Sequence, residues 1–303
     1  MVSTESFDLY LETLFELYES TSYSDTRKAL EMALNDISNK LLAEDNINTV
    51  TQLNKYKSLI QDEINKSYSG LQDGLQNEVS DVSQLVASNY GLLSVNTNVI
   101  NDLVGRNSNI QGYTFGDLFK TTKDNHIRAL KTLISSQVAQ GIAPNKIAKM
   151  LLDKNSSMTK SQLQTAVFTT ISEARERARE EGYDNFKFPK KYVYIATLDG
   201  RTSNYCREHD GKIYTDKTKA FREIKVHFNC RSVIGVIANE ADIPTERASV
   251  FGSTQNVPYS EWIKTLSDDQ LKVILGSKYN AYKQGTYTIK GLSDVKNTGT
   301  KYH

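Results

Sequence analysis

Proline, cysteine, histidine and tryptophan are scarce in this chain of 303 residues, which holds four, two, four and one of them respectively. So little proline lets long stretches run as unbroken helix. With cysteine reduced to Cys206 and Cys230, the only intrachain disulfide the chain could form is not expected. The N-terminus, MVSTESFDLYLETLF, lacks the basic and apolar blocks of a secretion signal, so the chain reads as made in the cytoplasm, where thiols stay reduced. No apolar run approaches the roughly 20 residues that span a bilayer, and no membrane partner is expected. A strong excess of either charge is also lacking: the net charge is +1. Nucleic-acid binding would therefore have to rest on local clusters.

What is present is helical periodicity. Leu11, Leu14, Phe15 and Tyr18 make one stripe, and Leu30, Ala33, Leu34, Ile37 and Leu41 a second, with Ser24-Asp25 as a cap between them. A third run carries Leu53, Tyr56, Ile60 and Ile64 and continues through Leu71, Leu75, Val79, Val82 and Val86, with Gly70 and Gly74 as a local weakness. Its alternating spacing from Leu75 is the seam of a helical hairpin or a short coiled coil. Residues 91–116, rich in Asn, Ser and Gly, read as a linker or surface loop and place an internal boundary. Three helices are expected next. Ile127, Leu130, Ile134 and Val138 form the first, stopped by Gly141; Ala143-Pro144 opens the second, with Ile147 and Leu151; Thr159 or Ser161 caps the third. The charged run SEARERAREEG in that third helix reads as a solvated face.

After Gly182 the period changes to that of short strands: Tyr192–Ile195, Lys212–Tyr214 and Ser232–Ile237. The tail returns to helix, starting at Ser260-Glu261-Trp262 and again after the N-cap Ser267, with Trp262 as a core anchor. The fold class is therefore α+β, mainly α, with a long helical N-terminal region and a small antiparallel sheet. The domains are expected at 1–115, a helical docking region, and 116–303.

The chemistry concentrates in Thr197–Arg231. It contains Cys206-x-x-His209 and His227-x-x-Cys230, while the other histidines are His126 and His303. Thiolate and imidazole are preferred zinc ligands, so these four side chains are candidates for a tetrahedral structural site. The alternative is two buried free thiols with hydrogen-bonded histidines, and the residues alone leave both open. Catalysis is a further reading, through a Cys206–His227 pair or a metal held by Asp199, His209 and His227. The chain lacks an evident orienting group or oxyanion donor for it. Asp199-Gly200-Arg201-Thr202-Ser203 reads more simply as a turn whose Asp accepts hydrogen bonds, with Arg201 paired to a carboxylate. Finally, residues 187–231 hold eleven Lys or Arg against five Asp or Glu. Lys190, Lys191 and Arg222 are thus candidates for sequence-independent contact with DNA, and a metal-dependent nuclease or hydrolase is the competing class.

In order, Thr197-x-Asp199-x-Arg201-Thr202-Ser203-x-x-Cys206, Asp210-Gly211-Lys212 and His227-x-x-Cys230-Arg231-Ser232 resemble the phage Mu F-like head morphogenesis family, minor capsid proteins of tailed bacteriophages. Upstream GIAPNKIAKML and TAVFTTISEARERARE, and downstream SEWIKTLSDDQLKVILGSKYNAYKQG, extend the resemblance over roughly residues 120–290. The chain departs from the family's pattern at Ile224-Lys225-Val226, where members carry proline, at His209, where an apolar residue is expected, and at Gly200, which stands for an acidic one. The resemblance implies a non-enzymatic, low-copy virion protein inside the head near the portal vertex, acting in head assembly and in the packaging or ejection of DNA. Its implied partners are the portal protein, scaffold or major capsid protein, and packaged DNA. Asp199, Arg201, Thr202, Asp210, Gly211 and Arg231 would serve as its structural motif, and Cys206, His227 and Cys230 as its staple.

Overall fold

The structure is a computed structural model that describes residues 4–44, 47, 49–89, 115–224 and 226–287. Side chains are described from Tyr23 onward, leaving out those of 70–73, 76, 87, 89 and 115. The Leu11–Tyr18 stripe, Leu71, Lys225 and almost all of the 91–116 stretch therefore lie outside the description. The chain forms two compact units, Met1–Gly182 and Tyr183–His303.

The first unit is helical. Helix α1 spans Thr4–Leu42 and α2 spans Val50–Asn89. Their stripes are buried as the spacing predicts: Leu30, Leu34, Ile37 and Leu41 on α1, and Tyr56, Ile60, Ile64, Val79, Val82 and Val86 on α2, are all at most 1% exposed. Each such aliphatic side chain contributes about 1.5–3 kcal/mol by leaving water. Thr49 and Gln52 exchange hydrogen bonds of 3.2 Å as a capping box at the start of α2. The Tyr56 hydroxyl donates to the Lys40 carbonyl at 3.1 Å, closing the hairpin. The cap expected at Ser24-Asp25 does not form, because α1 runs through it unbroken. A Ser or Asp caps a helix only where the backbone leaves helical geometry.

Three more helices complete this unit: α3, Phe115–Ala139; α4, Pro144–Met158; and α5, Gln164–Gly182. Gly141, at φ +68°, stops α3, and Pro144 occupies the first turn of α4. No cap separates α4 from α5, since the five residues Thr159–Leu163 carry the chain across as a π-helical turn. The buried edge of α3 runs through Thr122, His126, Leu130 and Ile134, leaving Ile127 and Val138 half-exposed.

The charged run of α5 is a correction to the sequence reading. Glu173, Arg175, Glu176 and Arg179 are only 1–6% exposed. Arg177 reaches Glu173 at 3.0 Å and Glu180 at 2.7 Å, and Glu176 lies 3.5 Å from Arg179. Charges can be enclosed in this way when they are paired. By packing, α3, α4 and α5 belong with α1 and α2, so the units divide at Gly182/Tyr183, whereas the sequence reading placed its boundary at 115/116.

The second unit is built on a three-stranded antiparallel sheet of β1 (Lys191–Ile195), β2 (Ile213–Tyr214) and β3 (Val233–Ile237), in the order β2-β1-β3. The pairings Val193↔Ile213 and Val193↔Gly235 place the middle of β1 between both neighbours. Two short helices interrupt the sheet, α6 (Asn204–His209) and α7 (Lys217–Arg222), capped by Ser203 and Asp216. A hairpin follows, β4 (Glu246–Ser249) with β5 (Gly252–Gln255). Then come α8 (Tyr259–Trp262), α9 (Asp268–Leu275) and α10 (Tyr279–Lys283). Helix α8 starts at the N-cap Pro258, ahead of the expected Ser260, while Ser267 and Gln270 form the expected capping box. Trp262 is the core anchor it was read to be, 1% exposed among Leu198, Tyr259, Ile263, Leu271 and Ile274.

Candidate metal centre

Cys206 sits in the first turns of α6. The N-cap Ser203 orients that helix by accepting the Cys206 N–H at 3.2 Å. His227 and Cys230 come from the loop before β3, where Asn229 adopts φ +55°, a left-handed conformation that Asn tolerates better than most residues. The turn brings the His227-x-x-Cys230 pair up to α6. Cys206 Sγ then lies 3.0 Å from His227 Nε2 and 3.8 Å from Cys230 Sγ. One ligand atom from each of the three residues falls within 4.8 Å of the others, and among the described residues this is the group able to hold a metal ion.

The histidine is held in a definite tautomer. Its Nδ1 is 2.8 Å from the Phe228 carbonyl, which can only accept, so the proton is on Nδ1. In the neutral ring Nε2 then carries the lone pair, facing Cys206 Sγ and the Ser203 hydroxyl at 2.8 Å. A ligating histidine is oriented in the same way, donating its other N–H to a carbonyl. Both cysteines are 2% exposed and form no disulfide, since their 3.8 Å separation is far beyond the roughly 2.05 Å of that bond. The hydrogen bond with Cys230, together with burial, pushes the Cys206 thiol well above its usual range. Burial and the neighbouring sulfurs do the same to Tyr194, whose hydroxyl donates to Cys206 Sγ at 3.2 Å. Without a metal the raised pKa keeps the Cys206 thiol protonated and a poor nucleophile, which weighs against a Cys206–His227 catalytic pair. A bound divalent cation reverses that preference by deprotonating its thiol ligands.

His209 lies outside this group, although the sequence places it three residues from Cys206. Its Nδ1 donates to the Tyr205 carbonyl at 2.8 Å, its ring stacks on Tyr205 with centroids 4.1 Å apart, and Nε2 is 3.4 Å from Glu223. On a helix, residues three apart share a face, but the sulfur turns inward while the longer imidazole lies along the flank.

Around the cluster stand two buried carboxylates. Asp199 accepts Arg231 through two bonds of 2.6 and 2.8 Å, and also accepts the Arg201 and Thr202 amides at 2.9 and 3.0 Å. Burial works to raise its pKa, but the Arg231 pair and these donors outweigh it and hold it at about 2. Arg201, expected to pair with a carboxylate, does so with Asp199 at 3.6 Å from an exposed position, a looser pair than that of Arg231. With its oxygens committed, Asp199 is part of the turn and no metal ligand.

Asp210 is enclosed, its side chain 0% exposed. It accepts the Ala196 amide at 2.8 Å, the Tyr259 amide at 2.7 Å and both terminal nitrogens of Arg247 at 3.0 Å. Arg247 also donates to the Ala196 carbonyl at 2.5 Å. Sequence reasoning missed Arg247; the signal available was the alternating, Gly-turned stretch ERASVFGSTQ, which reads as a hairpin. Gly211, at φ +79°, follows Asp210 and donates to the Tyr194 carbonyl at 2.8 Å, tying α6 to β1. At Gly200 a Cβ would lie 2.7 Å from the Ile274 carbonyl oxygen, which accounts for glycine where an acidic residue was expected.

Of the candidate DNA contacts, Lys191 pairs with Glu240 at 2.7 Å, while Arg222 is exposed and Lys190 half-exposed. Lys217 is bound to Asp184 and Arg231 to Asp199, and Arg207 packs over the Tyr259 ring at 4.6 Å. Internal pairing thus takes up several cations of the basic segment.

A family model described as Phage Mu protein F like protein matches residues 128–235. No curated protein and no solved structure matches the chain. The matched span contains Asp199, Cys206, Asp210, His227, Cys230 and Arg231.

Proposed function

We propose that this chain, whose residues 128–235 match the Phage Mu protein F like model, is a member of that family and a minor head protein of a tailed phage, associated with the portal vertex and acting in head assembly. In this reading Cys206, His227 and Cys230 hold a structural zinc ion. The observation that carries the zinc assignment is the fit of the cluster. Zinc–sulfur bonds of about 2.3 Å in a tetrahedron require a sulfur–sulfur edge of about 3.8 Å, and the two sulfurs stand 3.8 Å apart. His227, fixed from behind by the Phe228 carbonyl, faces the same space; its Nε2 is 3.0 Å from Cys206 Sγ, so binding an ion would widen that contact to about 3.5 Å, the edge set by zinc–nitrogen and zinc–sulfur bonds. The ion would cross-link α6 to the loop before β3, 24 residues further along the chain. Burial of both cysteines suits a staple better than an exchange site.

Three protein ligands, without His209, favour one second reading, because catalytic zinc sites keep a fourth position open. A metal-dependent hydrolase would need a base beside that position. The motif carboxylates Asp199 and Asp210 are instead bound to Arg231 and Arg247. The structural role is therefore preferred, with portal and capsid components as partners and DNA as a secondary contact through Lys190 and Arg222.

Two measurements test this. Quantitative mass spectrometry of purified virions and of empty proheads should find the chain at low copy in both; absence from both overturns the head-protein reading. Elemental analysis of the purified chain should find close to one zinc per chain, lost in Cys206→Ser. A metal-free protein that keeps the same fold and the same melting temperature overturns the staple.

A further inference from the structure

A groove of about 680 Å³ runs along the first unit between α2 and α3. Lys57 and Gln61 line one wall; Asp124, Ile127, Arg128 and Lys131 line the other. Its charge is unbalanced. Asp124 is already paired with Lys120 at 2.8 Å, and Lys131 only holds the Gln61 amide oxygen. Among the described residues, Lys57 and Arg128 have no carboxylate partner. Ile127 sits half-exposed between these cations, turned off the buried edge of its own helix. The groove thus offers three cations and an apolar step to an occupant bearing carboxylates beside apolar side chains.

The chain itself contains such a segment. Before Arg27 it has no Lys or Arg, and its acidic residues Glu5, Asp8, Glu12, Glu16 and Glu19 recur every three or four positions. At 100° per residue they share one arc, adjoining the arc of Phe7, Leu11, Leu14, Phe15 and Tyr18. The segment lies on α1, but at the wrong end to reach its own groove. Tyr56, beside Lys57, is bonded to the Lys40 carbonyl, and residues 5–19 precede Lys40 by 21 to 35 positions of continuous helix. At 1.5 Å per residue that is about 30–50 Å. The complementarity can be satisfied only between molecules.

We propose that the groove between α2 and α3 is a self-association site that receives the acidic segment Glu5–Glu19 of a second copy of this chain. Apolar contact at Ile127 contributes affinity, and the Lys57, Arg128 and Lys131 cations fix partner and register. Because segment and groove lie at different ends of the hairpin, each copy can donate to one neighbour and accept from another. Such an interface is heterologous, of the kind that closes into rings or extends as filaments. Nucleic acid is the less suitable occupant, since its phosphates would leave the half-exposed Ile127 without an apolar partner.

Sedimentation velocity of the full-length chain over a concentration series tests the proposal. The wild type should self-associate, and raising salt from about 50 to 500 mM should weaken this about tenfold or more, as expected for charge-guided contacts. The groove variant Arg128→Glu/Lys131→Glu and the segment variant Glu12→Lys/Glu16→Lys should each lose at least about tenfold in association. Mixed together they should form a complex, because the reversed segment meets the reversed groove. Arg128→Gln, a milder change at an exposed position, should give an intermediate loss with an unchanged circular dichroism spectrum. A wild type that stays monomeric at every concentration and salt overturns the proposal. So does association that neither charge reversal alters. A groove variant that loses binding to duplex DNA at low salt while associating normally assigns the groove to nucleic acid instead.

Discussion

Arg247 grips the fully enclosed carboxylate of Asp210 with two nitrogens, each 3.0 Å from an oxygen. The pair is separated by 37 residues and joins the end of α6 to the hairpin of β4 and β5. Because Asp210 also accepts the amides of Ala196 and Tyr259, four parts of the second unit converge on one side chain.

Removing either partner leaves an uncompensated buried charge. Asp210→Ala and Arg247→Ala should each destabilise the protein by about 3–5 kcal/mol, read from chemical denaturation. The double variant should cost clearly less than the two single losses added together, because the second removal relieves the charge stranded by the first. Additive losses would show that the two side chains are energetically independent.

Stripping metal should loosen the second unit. A strong chelator is expected to lower its melting temperature and to make the Cys206 and Cys230 thiols accessible to a thiol reagent. His227→Ala should reproduce both effects, while His209→Ala, which removes a side chain stacked on Tyr205, should leave metal content unchanged. Loss of zinc in the His209 variant would place that residue among the ligands.

Acid should destabilise the first unit through His126, which is 1% exposed with its Nδ1 3.3 Å from the Tyr68 hydroxyl. Burial depresses its pKa to about 4, against 6.5 as the ordinary value. The unfolded chain therefore binds the proton first, and stability present above pH 6.5 is lost as pH falls towards 4, by about 3 kcal/mol at the lower end. Glu78 works in the opposite sense. Burial raises it to about 7, with Asp25 and Asp81 adding to the shift, so protonation on acidification favours the fold. The difference between wild type and His126→Gln isolates the histidine and should shrink from pH 7 to pH 4. A difference that stays constant would mean that His126 does not titrate in this window.

Gly200 should tolerate no side chain. The Cβ of Gly200→Ala would meet a backbone oxygen at 2.7 Å, and that oxygen cannot swing aside as a side chain can. A loss of about 1–3 kcal/mol is expected. A melting temperature within a degree of wild type would show that α9 shifts freely.

Much of the fold is legible locally. The stripes Leu30–Leu41 and Tyr56–Val86 are core because helical spacing puts them on one side of helices that nothing interrupts. The three strands of the sheet appear where apolar and β-branched residues cluster after Gly182. Local chemistry also marks Ser267 as a cap and Gly141 as a stop. The charged run of α5 failed for a definable reason: residue type predicts exposure only where no partner is supplied, and here paired Glu and Arg side chains are enclosed.

The sequence by itself determined which residues could make the metal cluster, by placing every cysteine and two of four histidines within one short segment. It could not decide which of them meet. Cys206, His227 and Cys230 converge because a short helix and a left-handed turn at Asn229 aim them at one point, while the same helix turns His209 towards Tyr205 and Glu223. Spacing along the chain sets which face a residue occupies; only packing against distant elements sets where its reactive atom ends.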